Sequence, residues 1–179
     1  MSIKTKLVLA FGGLIVILVV VSVVTFHTLN ESSKAIDRIM RENYDTIEYC
    51  YKMKDALERL DHLAEVSLWE RLAEASRQNQ EAIGEYERNL KFQQGNITVP
   101  GERELTERLT AQWQFYRQGL KDYYQLSVPG VSPRDYYRQT LLPRSQAVRE
   151  TAQQILEANL NNMVAADGQA HHFHSIFDG

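Results

Sequence analysis

Glycine and proline are scarce in this chain. It has 9 Gly and 4 Pro in 179 residues, and neither occurs between Gly13 and Gly84. A stretch of that length without helix breakers, rich in Ala, Leu, Glu, Arg and Gln, favours helix. No segment of useful length alternates apolar and polar residues as a half-buried strand does. The sequence therefore predicts an all-α fold.

The cysteine content and the net charge of the chain are also low. Cys50 is the single cysteine, which excludes an intrachain disulfide and a cysteine-based zinc site. The net charge is −3, and Lys and Arg are mixed with Asp and Glu as on solvated helix faces. The motifs G-x-x-x-x-G-K, H-E-x-x-H and G-x-S-x-G are absent. We therefore expect no enzyme activity, no cofactor and no nucleic-acid partner.

One long uncharged run stands apart from this polar composition. Residues 7–26 read LVLAFGGLIVILVVVSVVTF, which as a helix spans roughly 30 Å, the thickness of a bilayer core. Cleaved signal peptides have shorter apolar regions that end at small residues, and this run has no such site. We expect an uncleaved transmembrane helix in residues 1–26. Lys4 and Lys6 favour a cytoplasmic N-terminus, although basic residues also follow the span.

Apolar residues after the span recur every three or four positions. This spacing indicates amphipathic helices that pack through narrow seams. It predicts an antiparallel up-down four-helix bundle in residues 27–166, with two long outer helices and a shorter central hairpin. The first turn is placed at residues 67–71 by a capping-box pattern, and later breaks at QQGNITVPGE and SVPGVSP. Pro143 predicts a kink or a short preliminary helix before the fourth helix.

The seam of the first helix is a candidate surface for self-association. A parallel, symmetric pairing of two copies would bring the two Cys50 residues face to face. A position inside one bundle is the open alternative for Cys50. The predicted dimer seam consists of Ile36, Ile39, Asn43, Cys50, Met53, Leu57 and Leu60.

Aromatic and basic residues in the second half of the bundle suggest a binding site for a small ligand. An aromatic wall with basic groups is typical of a partly apolar pocket that takes an anion. The alternative is that these residues are ordinary packing and ion-paired surface. The candidate ligand-binding residues are Trp113, Arg117, Arg144 and Arg149.

The chain ends in a histidine-rich segment. His171, His172 and His174 are metal-ligand types, but no neighbouring residues supply a rigid set of about four ligands. We expect no metal site and a disordered tail over residues 167–179.

Three segments carry a resemblance to a known family. They are ENYDTIEYCYKMKDALERLD, then GNITVPGE, then YYRQTLLPRSQAVRETAQQILEANLNNM. Their order and spacing resemble the extracytoplasmic sensor region of bacterial membrane histidine kinases, of the kind that regulate alginate production. The resemblance covers residues 1–165. The chain has no second apolar span, phosphoacceptor helix or ATP-binding domain, so it would be such a protein truncated before those parts.

The resemblance implies a sensory input module of a two-component system. It implies a homodimer, anchored in the cytoplasmic membrane with its bundle in the periplasm, that signals by small helix displacements. The expected partners are the lipid bilayer, a second copy and a small-molecule ligand. The alternative is a chemoreceptor-type or other membrane-anchored binding bundle.

Overall fold

The structure is a computed structural model that describes residues 3–68, 73–125 and 132–177. Within these helices, the side chains of residues 5–10, 73–78 and 169–177 lie outside the description. All the described long elements are helices, and no strand occurs in the described ranges. The predicted all-α four-helix bundle is confirmed.

The first helix, α1, covers Ile3–Val66. Its described side chains from Phe11 to Phe26 are all exposed. This part is long and apolar enough to cross a membrane, with a mean hydropathy of 2.3 and none of it buried. The helix ends at Val66, immediately before the turn predicted at residues 67–71, and the Ser67 hydroxyl donates to the Ala64 carbonyl at 2.7 Å.

The central hairpin consists of α2, Ala73–Gly95, and α3, Glu102–Gln125. The connecting loop coincides with the predicted break. It turns at Gly101, whose φ of +81° is a left-handed conformation that glycine adopts without strain. The two helices are 23 and 24 residues long, so the short hairpin beside longer outer helices is as predicted.

The last long helix of the bundle is preceded by a short helix and a π-helical turn. Ser132 caps α4, Pro133–Tyr136, by accepting the Asp135 N–H. A π-helical turn, Tyr137–Leu141, follows and leads into α5, Leu142–Phe177. Pro143 has no N–H to donate and its ring crowds the preceding turn, so widening the helix there removes the conflict. The short preliminary helix before Pro143 is therefore confirmed.

The contacts divide the chain into two units, Met1–Ile39 and Met40–Gly179. The second unit contains the bundle and its core. Tyr86 and Trp113 stack there with ring centroids 3.7 Å apart, and Tyr116 packs 5.8 Å from the indole. The predicted seams of α3 and α5 supply much of this core. From α1 the core takes Cys50, Met53, Leu57, Leu60 and Ala64.

The seam expected for self-association is thus largely used inside one chain. Asn43, Cys50, Met53, Leu57 and Leu60 are all fully buried in the second unit. These five side chains are not free to contact another copy, and Cys50 takes the alternative position inside one bundle. In the first unit, Ile39 is 37% exposed and Ile36 is half-buried.

The segment expected to be disordered is helical in its described part. The backbone of α5 continues to Phe177, past the boundary expected at residue 167. No proline follows Gly168, and one glycine alone does not end a helix. The side chains of His171, His172 and His174 lie outside the described part, so the absence of a metal site there stays a prediction.

Candidate functional site

The candidate ligand residues on α3 belong to two different environments. Trp113 is 2% exposed and packs in the core against Tyr86. Arg117, one turn further, pairs with Glu87 of α2 at 2.8 Å and is largely exposed. One residue therefore stabilises the interior, and the other joins two helices at the surface.

The two candidate arginines on α5 also have separate partners. Arg144 donates through Nη1 to the Phe115 carbonyl at 2.8 Å. A Cβ on Gly119 would lie 2.8 Å from the same Nη1, so the glycine makes room for this guanidinium. Arg149 donates through Nη2 to Asp61 at 2.9 Å. The four candidates do not converge on one site.

Asp61 joins three helices through one carboxylate. Its Oδ1 accepts from the Tyr116 hydroxyl of α3 at 2.9 Å. Its Oδ2 accepts from the Ser145 hydroxyl and from Arg149 Nη2, both on α5. The Asp61 side chain is only 12% exposed, while Arg149 reaches solvent. Any shift of α5 along α1 must therefore break hydrogen bonds at Asp61.

Burial decides the electrostatics of this cluster. It raises the pKa of Asp61, and the hydrogen bonds from Ser145 and Tyr116 and the Arg149 charge oppose that rise. Burial, with the Asp61 charge next in size, raises the pKa of Tyr116 well above its usual value. The phenol therefore stays protonated and donates to the carboxylate throughout the physiological range.

The sequence analysis did not select Asp61 as a candidate functional residue. The available signal was its position one turn after Leu57 and three residues before Ala64, at the edge of a buried stripe. An acid at such an edge reaches a neighbouring helix as easily as it reaches solvent. The helix that it reaches is set by the tertiary packing.

A second carboxylate, Glu102, lies fully buried at the start of α3. Its Oε2 accepts the backbone N–H groups of Thr98 and Val99 at 2.8 and 2.9 Å. Its Oε1 accepts from Gln93 Nε2 of α2 and Asn159 Nδ2 of α5, both at 2.9 Å. In the part of the chain that the structure describes, no ion pair compensates this charge. Hydrogen-bond donors from three segments do so instead.

The loop before Glu102 is held against α1 by side-chain hydrogen bonds. Asn96 Nδ2 donates to the Glu42 carbonyl at 2.7 Å and to the Thr46 hydroxyl at 3.1 Å. The Thr98 hydroxyl donates to Asn43 Oδ1 at 2.9 Å. Asn96 and Thr98 thus fasten the loop to α1 through side-chain hydrogen bonds. A polar layer thus crosses α1, α2, α3 and α5. It consists of Asn43, Thr46, Gln93, Asn96, Thr98, Glu102 and Asn159.

Neither cluster has the parts of a hydrolytic or metal centre. Ser145 is buried and its hydroxyl bonds to a carboxylate rather than to an imidazole. In residues 3–68, 73–125 and 132–177, no group of three or more His, Cys, Asp or Glu is placed to hold a metal ion. Both clusters link helices to one another through hydrogen bonds.

The chain matches, over residues 1–170, the family described as a four-helix bundle sensory module for signal transduction. Because the match covers nearly the whole chain, the chain belongs to this family. Comparison with curated proteins and with solved structures finds no match. The protein is therefore a sensory input module for signal transduction.

Proposed function

We propose that this chain is the membrane-anchored input module of a two-component sensor histidine kinase. The family supports a sensory role in signal transduction. The finer assignment rests on the three sequence segments that resemble the sensor region of such kinases. The bundle lies outside the cytoplasmic membrane, and the apolar part of α1 is its anchor.

One observation carries the mechanism that we propose. Asp61 bonds α1, the helix that contains the apolar segment, to Tyr116 on α3 and to Ser145 and Arg149 on α5. The stimulus shifts α5 against α1, and the Asp61 cluster sets the free-energy difference between the two positions. Displacement of α1 then carries the signal towards the membrane.

A chimaera tests this proposal. Residues 1–166 are fused in frame to the second transmembrane helix and kinase core of a well-behaved sensor kinase, and output is read from a response-regulator reporter. We expect Asp61→Asn to change basal output at least threefold while Asp55→Asn, at an exposed position on the same helix, leaves it unchanged. Equal output from both variants and wild type counts against the mechanism.

The output domain is tested by exchange. A second chimaera carries the cytoplasmic part of a chemoreceptor in place of the kinase core. Response of that chimaera alone would assign the chain to the chemoreceptor class instead.

The anchor is tested separately with a periplasm-active reporter fused after Phe26. Activity only in the cytoplasm, or a mature chain that starts near residue 27, would contradict an uncleaved anchor with an external bundle.

We also propose that two copies associate in the membrane. The support is Ile39, a large apolar side chain left 37% exposed in the first unit. Cysteine at this position, in a Cys50→Ser background, should give a covalent dimer under mild oxidation of membranes. Native Cys50 is the matched control, because its burial in one bundle prevents the crosslink. No dimer from Ile39→Cys and a monomer mass in detergent would refute the association.

A further inference from the structure

Among the described residues, one ion pair joins α1 to α5. Arg149 Nη2 lies 2.9 Å from Asp61 Oδ2. The two groups differ in exposure, because the Asp61 side chain is 12% exposed and the Arg149 side chain is 46% exposed. The guanidinium keeps its charge at every pH that the protein meets, and it is hydrated when the pair opens. Whether the pair exists therefore depends on the charge of Asp61.

The groups that face Asp61 from other elements carry no second positive charge. Tyr116 of α3 and Ser145 of α5 donate their hydroxyl hydrogens to the carboxylate. Tyr137 of the π-helical turn is near enough that burial, and then the Asp61 charge, raise the pKa of its phenol. All three are neutral donors or neighbours, so the attraction of opposite charges comes from Arg149.

The titratable groups on α1 and α2 lie elsewhere or add negative charge. Glu65, four residues after Asp61, acts on the same Tyr137 phenol and in the same direction. His62 lines a groove between α1 and α2 together with Glu81 and Glu85, and Asp61 is not part of that groove. The nearby acid makes a second negative charge at Asp61 less favourable.

Protonation changes the bonds that Asp61 can make. The carboxylate accepts on both oxygens, whereas the acid has one O–H that must find an acceptor. Oδ2 contacts both the Ser145 hydroxyl and Arg149. A hydroxyl can accept as well as donate, so a proton on Oδ2 has Ser145 Oγ as its acceptor. The proton then takes the place of the guanidinium.

The surroundings of Asp61 favour this proton. Burial is the largest influence on Asp61 and raises its pKa, while the bonds from Ser145 and Tyr116 and the Arg149 charge act in the opposite direction. The carboxyl group therefore takes up its proton at a pH above the ordinary value of about 3.9.

We infer that protonation of Asp61 releases α5 from α1 when the medium around the bundle becomes acidic. Ionised Asp61 holds Arg149, and protonated Asp61 bonds to Ser145 and leaves Arg149 to solvent. The inference deepens the proposed function by naming the proton as a regulator of the Asp61 cluster, and it rests on that function only for its effect on output. The release itself is measurable in the chain alone.

The first measurement is a carbon-13 NMR titration of the aspartate carboxyl groups in the full chain in detergent. The Asp61 signal is the one that Asp61→Asn removes, and its midpoint should lie above about pH 3.9. Tyr116→Phe should move the midpoint to higher pH, because the lost hydrogen bond favours the carboxylate. Tyr51→Phe, at an exposed position of α1, is the matched control and should not move it. A midpoint at or below about 3.9, or one that Tyr116→Phe leaves in place, overturns the inference.

The second measurement is a double-mutant cycle of Asp61→Asn and Arg149→Gln on the unfolding equilibrium of the full chain in detergent. Asparagine has nearly the shape of the protonated acid and, like it, no charge. We expect the two substitutions to be coupled by about fivefold in the equilibrium constant at neutral pH, and by less than about twofold below the measured midpoint. The same coupling at both pH values overturns the release of Arg149 by the proton.

The kinase chimaera then separates this inference from the proposed function. Acid should move its output towards that of Asp61→Asn, whose own output should not change with pH, while Asp55→Asn should respond to acid as wild type does. Coupling that is lost in acid without any change of output supports the release and counts against the proposed function. Coupling that acid leaves unchanged, in a chimaera that still responds to Asp61→Asn, refutes the release and leaves the proposed function in place.

Discussion

Replacement of Glu102 by glutamine tests whether a buried charge holds the polar layer together. The carboxylate accepts four hydrogen bonds of 2.8–2.9 Å and makes a longer contact with the Thr46 hydroxyl at 3.5 Å. It needs no donor of its own. Glutamine has nearly the same shape but turns one oxygen into an NH₂ group. That group must face either the two backbone N–H groups or the amides of Gln93 and Asn159.

The less costly orientation keeps the oxygen on the backbone N–H groups. Gln93 and Asn159 can then rotate their amides, because each has an unpartnered oxygen. The rotation removes the bond from Asn159 Nδ2 to the Ile155 carbonyl, now 2.9 Å long. Hydrogen bonds to a charged group contribute about 1.5–3 kcal/mol and neutral ones about 0.5–1.5. The two retained bonds therefore lose about 1 kcal/mol each, and relief of charge burial offsets the lost side-chain bonds.

We expect Glu102→Gln to lower the free energy of unfolding by about 2 kcal/mol, and Glu102→Ala by about 3–5 kcal/mol, because alanine leaves all the donors unpaired. The assay is chemical denaturation of the full chain in detergent, followed by circular dichroism of the helices. Glu104→Gln is the matched control, since Glu104 lies in the same helical turn but is exposed. It should change stability by less than about 0.5 kcal/mol. Equal small effects of both glutamine variants would refute the reasoning.

Three further predictions concern the core and the Asp61 cluster. A raised carboxyl pKa means that folded Asp61 binds its proton more tightly, so its stabilising contribution is complete below about pH 3.9 and is lost as pH rises through the folded value. We therefore compare the unfolding free energies of wild type and Asp61→Asn. The value for wild type minus the value for the variant should decrease as the pH rises above about 3.9. Burial raises the pKa of the Cys50 thiol to about 12, so at mildly alkaline pH an aromatic disulfide reagent should modify it roughly 10³-fold more slowly than in denaturant. Trp113→Ala should cost about 3–5 kcal/mol through loss of the stacked indole. Phe115→Ala, at an exposed position of the same helix, should cost less than about 0.5 kcal/mol.

Each of these has a result that would contradict it. A pH-independent difference between wild type and Asp61→Asn would mean that the carboxyl pKa is the same in both states. Rapid modification of Cys50 in the folded protein would place its thiol at the surface. Equal costs of the two aromatic substitutions on α3 would remove Trp113 from the core.

The sequence by itself determined the helices and most of their ends. Periodicity and helix breakers act over one or two turns, so the run without Gly or Pro, the loop around Gly101 and the break at Pro143 appear in the structure as predicted. The apolar segment of α1 and the buried faces of α3 and α5 follow from the same local rules. Each of these features needs only the residues near it in the chain.

The direction in which a polar side chain reaches was decided by tertiary structure. Helical spacing shows that Arg144 and Arg149, five residues apart, lie about 140° apart around the axis, but not which helix each one meets. They donate to α3 and α1 respectively, so the structure gives the two guanidinium groups separate partners, and a ligand site at these arginines stays a prediction. A seam likewise shows only that a face is buried. The Cys50 face is covered from within one chain, and the periodicity of a seam does not show whether the residues that cover it belong to the same chain. Asp61 and Glu102 found partners 55 to 88 residues away, and no local pattern specifies contacts at that separation.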